Sequence, residues 1–146
     1  MRPQYSIIND THFVIEPGIK TIKSASFKHF NIITSVQIPD GVETIEAQAF
    51  EFCTKLKEIV IPEGVVTIED SAFAHCSSME KIVLPDTLMY IGTCAFSYCL
   101  KLKEIVLPPN LSFIGSWAFN RCSKLKTFKL PDSVISGNVL GCSVCM

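Results

Sequence analysis

Four cysteines, Cys53, Cys76, Cys99 and Cys122, recur every 23 residues, and sulfur at a fixed spacing can do three kinds of chemistry. It can form disulfides, hold a soft metal ion, or act as a thiolate nucleophile beside a base. His75 adjoins Cys76; His12 and His29 stand elsewhere in the chain. Each of these chemistries needs side chains that converge. A column of equivalent positions points its side chains in one common direction, which is poor geometry for a disulfide and supplies no tetrahedral set for zinc. Strands ~4.8 Å apart would still bring neighbouring sulfurs within several ångströms. The disulfide and metal readings therefore stand beside a plainer one, which is preferred: each thiol is a small, semi-polar filler of a buried layer. Seven cysteines in all is an odd number for a disulfide framework. A His75–Cys76 catalytic pair would require breaking the cysteine column.

No other constellation supplies reaction chemistry. Gly92-Thr93-Cys94-Ala95 and Gly115-Ser116-Trp117-Ala118 lack the glycine-rich run and lysine of a phosphate loop. The carboxylates fall in outward columns, without the buried pairing that prepares an acid–base couple. Asp40, Glu63, Asp86 and Asp132 each follow a proline, where a lone carboxylate more often satisfies turn backbone than binds calcium. Lys55, Lys101 and Lys124 read as a solvated strip. The expectation is no enzyme, no catalytic residue, no metal and no cofactor.

The elements that position these residues follow from the same 23-residue step. Pro39, Pro62, Pro85, Pro108 and Pro131 repeat at it, as do Phe27, Phe50, Phe73, Phe96 and Phe119. A fixed period of this length is the signature of a stacked repeat protein. Ile59 and Ile61 lie two apart, as on one face of a short strand. Proline cannot donate to a strand ladder, so Pro62 ends that strand. Phe50, Cys53 and Leu56 lie three apart, a spacing that predicts one turn of α- or 3₁₀-helix with its inner side buried. One repeat cannot bury these residues alone; stacking makes a continuous core.

The run from Leu56-Lys57-Glu58-Ile59-Val60-Ile61-Pro62 through Ile68 to Ala72-Phe73-Ala74-His75-Cys76 resembles the BspA-like subfamily of leucine-rich repeats. The resemblance covers Ile15 to Cys122 firmly and the remainder loosely. It implies a right-handed repeat solenoid of short parallel β-strands, and a protein-interaction role in place of catalysis. Many members are surface-associated proteins of anaerobic bacteria and protozoan parasites linked to adhesion. The reading is one leucine-rich-repeat solenoid over 1–146, with a degenerate N-terminal coil or cap at 1–33, regular repeats at 34–125 and an incomplete C-terminal coil at 126–146.

Function then lies in the outward columns. Val60, Val83 and Val106 form an apolar stripe on the strands, beside Glu58, Lys81 and Glu104 and beside Lys57, Glu80 and Lys103. The alternating signs can fix strand register or frame a recognition face. Thr44, Thr67, Tyr90 and Phe113 share a second column, with Met89 alongside and Trp117 nearby; clustered exposed aromatics and methionine are typical interface anchors. A third column holds His29, Phe52, His75, Tyr98 and Arg121, either facing outward or stacked between coils. Candidate binding residues are Tyr90, Phe113, Trp117, Met89, Val60, Val83 and Val106.

A formal net charge of −1 gives no bulk drive toward nucleic acid. No apolar run approaches the ~20 residues of a spanning helix, and the first residues lack the apolar core of a secretory signal. Family resemblance places the chain at a cell surface as an adhesion or matrix-binding protein; reduced cysteines and the missing signal favour a cytoplasmic scaffold. Cys142 sits one place too early for prenylation, which needs cysteine fourth from the end, where Ser143 stands. Val139, Leu140 and Val144 at a thin C-terminal cap suggest an end-to-end homodimer.

Overall fold

The computed structural model describes residues 5–126 and 129–134. The expectations that rest on Val139, Leu140, Cys142 and Val144 lie outside those residues. The regular coils each contribute two short strands, the last described coil only one, and the strands stack into two five-stranded sheets. The first sheet runs β1 (Tyr5–Asn9), β2 (His12–Ile15), β4 (Ser35–Gln37), β6 (Glu58–Val60) and β8 (Lys81–Val83). The second runs β3 (Thr21–Ile22), β5 (Thr44–Ile45), β7 (Thr67–Ile68), β9 (Tyr90–Ile91) and β10 (Phe113–Ile114). All pairings between coils are parallel and join residues 23 apart, such as Ile59 to Ile82 and Ile45 to Ile68. The chain is therefore a repeat solenoid, as the period predicts.

The alternation in each strand decides its faces. Val36, Ile59 and Ile82 point inward and are buried, while their neighbours on either side point out. β1 departs from the pattern: it turns back on β2 as an antiparallel hairpin. Tyr5 from this hairpin packs on Phe13 and Phe27, with ring centroids 5.3 and 5.4 Å apart. The hairpin thus covers an open sheet edge and one end of the core.

The segment expected to be helical is a run of turns, and no helix occurs among the described residues. From Gln48 to Cys53 the chain alternates two kinds of bond. Glu51 N–H and Cys53 N–H donate back three residues to Gln48 and Phe50, while Gln48, Phe50 and Phe52 N–H donate to Asp70, Ala72 and Ala74 carbonyls of the next coil. The alternation needs left-handed backbone at Gln48 (φ 59°) and Phe52 (φ 60°). Ala25, Ser71, Cys94 and Trp117 repeat the first position; His29, His75, Tyr98 and Arg121 repeat the second. A helix would spend every amide within its own coil, whereas this conformation gives every second one to the neighbour. Phenylalanine still recurs on the inner side, with Phe27, Phe50, Phe73, Phe96 and Phe119 buried and stacked nearly parallel.

Candidate functional site

The cysteine column is structural. Cys53, Cys76, Cys99 and Cys122 are buried, and each Sγ donates to a phenylalanine carbonyl of the preceding coil: Phe27, Phe50, Phe73 and Phe96, at 3.1–3.3 Å. The thiol fills the layer and satisfies a buried acceptor in one group. Burial pushes the Cys53 thiol up to about 12 and those of Cys76 and Cys99 well above the usual thiol range. Such thiols stay protonated, so they are poor nucleophiles. Cys94 stands on the surface side, its thiol raised by partial burial and by nearby Asp70.

The outer face of the first sheet carries the valine stripe. Gln37, Val60 and Val83 are register neighbours, and Val60 and Val83 are 61% and 40% exposed. Val106, one period further on, is 82% exposed and follows the last strand of this sheet. An open hollow of about 570 Å³ lies over this face, lined by Gln37, Glu58, Val60, Glu63, Lys81 and Val83. Beside the valines, Glu58 pairs in register with Lys81. Glu80 forms an ion pair with Lys103 at 3.0 Å, which holds its carboxyl below the usual range.

The outer face of the second sheet carries the aromatic candidates. Thr44, Thr67, Tyr90 and Phe113 occupy one outward row in register. Tyr90 and Phe113 stack at 4.8 Å, 8° from parallel, and are half-buried. Met89 precedes this row and is 48% exposed. Trp117 is half-exposed on the left-handed turn position and makes no ring contact among the described residues. The structure therefore joins Tyr90 to Phe113 and leaves the Trp117 ring apart. In the third column, His29, Phe52, His75 and Tyr98 stack in sequence at 4.3–4.7 Å, which realises the stacked alternative.

Sequence reasoning missed the acidic caps beside the second sheet. Glu46 accepts the Ser24 N–H at 2.8 Å, and Glu69 accepts the Ala47 N–H at 2.9 Å, each from the preceding coil. The Ser24 bond, aided by Lys23, holds the Glu46 carboxyl below its usual range. In later coils Gly92 and Gly115 take the place of these glutamates. A Cβ on Gly92 would lie 2.5 Å from both the amide nitrogen and Oδ1 of Asp70, and that Asp70 oxygen caps the Thr93 N–H at 2.8 Å. The change from glutamate to glycine at one column was the available signal.

With strands, turns and columns in place, comparison with known proteins is decisive. Residues 8–140 match the BspA type leucine rich repeat region, in six copies. The chain belongs to that family. Among solved structures, this BspA-type chain is similar to a leucine rich repeat protein of T. pallidum, at 32% identity and a TM-score of 0.78 over 88% of this chain and 68% of that one. It is similar to a leucine rich cell surface protein of Faecalibacterium prausnitzii, at 28% identity and a TM-score of 0.72 over 92% of this chain and 43% of that one. The pneumococcal vaccine antigen PcpA shares the fold, at 19% identity and a TM-score of 0.57, over 90% of this chain and 42% of that one. No curated protein matches the chain significantly. Leucine-rich repeats are generally protein-interaction scaffolds, not catalysts, and a stacked solenoid offers extended surface in place of an enclosed cleft. Among the described residues no helix is long and apolar enough to cross a membrane.

Proposed function

We propose that this BspA-type chain is a non-enzymatic binding module of a cell surface, engaging a host or matrix protein through the second sheet. The observation that carries the reading is the change in its outer row. Thr21, Thr44 and Thr67 give way to Tyr90 and Phe113, stacked at 4.8 Å, beside exposed Met89 and with exposed Trp117 four residues beyond Phe113. Threonine satisfies the strand at three coils, so the repeat itself does not require rings at the next two. Large, rigid aromatic groups at exposed positions suit a protein interface. Surface placement draws support from the cell surface protein to which the chain is 28% identical. The column cysteines Cys53, Cys76, Cys99 and Cys122 are compatible with it, because buried protonated thiols resist oxidation.

The test is affinity capture from a matrix-protein mixture and from a cell lysate, read by mass spectrometry. Wild type and a Tyr90→Ala/Phe113→Ala/Trp117→Ala variant are compared. The expected result is a matrix or host-surface protein retained by wild type and lost by the variant, which stays folded. Capture unchanged by the variant removes this face from the reading. Antibody staining of permeabilised cells only, never of intact ones, replaces adhesion with the intracellular scaffold.

A further inference from the structure

The valine face of the first sheet is a different surface, and its charges, paired between neighbouring coils of one chain, form a pattern that a partner laid on this face would meet. Along the solenoid, Lys57, Glu80 and Lys103 alternate in sign from coil to coil, and Glu58, Lys81 and Glu104 alternate in the opposite phase. Successive strands stand ~4.8 Å apart. A peptide laid along this face has a different residue repeat, so its charges fall out of step within two or three strands. A partner that stays in step is another stack of parallel strands with alternating charges. This chain itself presents one.

We infer that two copies of the chain pair face to face through the first sheet, about a two-fold axis that runs along the strands midway between β6 and β8. That operation keeps each row on its own row and exchanges the two coils. Lys57 of one copy then faces Glu80 of the other, Glu58 faces Lys81, and Val60 faces Val83, each contact occurring twice as two-fold symmetry requires. One coil further out, Thr34, Ser35 and Gln37 face Lys103, Glu104 and Val106, so no like charges meet. Other placements fail. An axis centred between the coils of Glu80 and Lys103 sets Lys57 against Lys126. An axis passing through one coil sets each charge against its own copy. An axis along the solenoid sets the charged row on the valine row.

Packed sheets lie ~10 Å apart, with side chains filling the gap. The hollow of about 570 Å³ over the face leaves room for the partner's valines, with the lysine and glutamate stems of the facing rows flanking them. The contact is small, so the dimer is a weak one, with its register set by charge and its area supplied by valine.

Sedimentation equilibrium of the purified chain, with no other protein present, tests this separately from the matrix-binding reading. Wild type is expected to self-associate, more weakly at high salt. K57E sets a carboxylate against Glu80 of the other copy, and E80K sets an ammonium against its Lys57, so each variant alone is expected to dimerise at least about tenfold more weakly. In a mixed dimer Lys57 of the E80K copy meets Glu80 of the K57E copy as in wild type, and the contact between the two substituted positions has its signs inverted, so the mixture is expected to associate like wild type. V83K, at an exposed position, is expected to be monomeric with an unchanged melting profile. A wild type that stays monomeric, a mixture no tighter than either variant alone, or a monomer whose valine face instead captures a foreign protein would each overturn the proposal.

Discussion

Two columns of rings climb the same turn segment, two residues apart. Phe27, Phe50, Phe73, Phe96 and Phe119 stack inside at 5.1–5.5 Å, and His29, Phe52, His75 and Tyr98 stack outside at 4.3–4.7 Å. The rings are no farther apart on the surface than in the core. Spacing therefore follows the coil period, and burial is not needed to produce it. Composition is where the columns differ. The inner one keeps a single residue type, because a close-packed interior accepts one volume. The outer one accepts any flat face, and it does so in left-handed backbone near φ 60°, which costs an L-residue roughly 1–2 kcal/mol relative to its right-handed form. The inter-coil amide bonds and the stack offset that cost at each step.

The comparison breaks most readily at its inner column. Phe73→Ala should lower stability by roughly 3–5 kcal/mol in urea unfolding, since a buried ring leaves a cavity; a loss of only a few tenths would mean that this column does not hold the core. Cys76→Ala comes next, at about 1–3 kcal/mol, from a lost thiol donor and a small void. Phe50 O keeps its other bond, from Cys53 N–H at 3.2 Å, which limits the cost.

The cysteines also set an alkaline limit. A thiol in the unfolded chain ionises near 9.0, whereas Cys53 in the folded chain holds its proton to about 12. The unfolded state therefore binds fewer protons above 9. Stability from this group is fully present below pH 9 and declines as pH rises toward 12. Chemical denaturation at pH 8, 9 and 10 should show the decline, and a flat profile would mean that the thiols are not buried. Native alkylation mapped by mass spectrometry should mark Cys94 and spare Cys53, Cys76 and Cys99. The smallest effect belongs to the outer column. Phe52→Ala removes two exposed stacks, worth about 0.5–1.5 kcal/mol. A cost equal to that of Phe73→Ala would erase the distinction between the columns.

Much of this was legible in sequence. The proline step, the inward Ile59 of β6 and the phenylalanine column follow from a constant period, because equivalent residues must meet in a stack. The turn conformation was not. Phe50, Cys53 and Leu56 at three-residue spacing fit a helical turn as well as a run of turns, and the left-handed positions hold Gln48, Phe52 and Ser71 rather than glycine. The second sheet was hidden by its two-residue strands, too short for alternation to show. At the candidate faces, the rows were readable, but Trp117 was grouped with Tyr90 and Phe113 on proximity in the chain. The period puts Trp117 in a column with Gln48, Ser71 and Cys94, apart from the strand row, but the left-handed turn at that column came only from the backbone.

In the turn segment, each coil's amides at positions such as Gln48, Phe50 and Phe52 point to the next coil, and the accepting carbonyls point back. These bond dipoles do not cancel, as strand dipoles largely do; they add along the stack. The turn wall of the solenoid thus has electrical polarity, negative at the N-terminal end and positive at the C-terminal end, the reverse of an α-helix. Lys20, Lys23 and Lys28 all sit in the first coil, at the negative end, with their ion-pair partners Glu43, Glu46 and Glu51 one coil inward. The order of those pairs along the axis, cation outermost and carboxylate inward, runs against the backbone dipole, so the charges offset at this end part of the polarity that the amides build up.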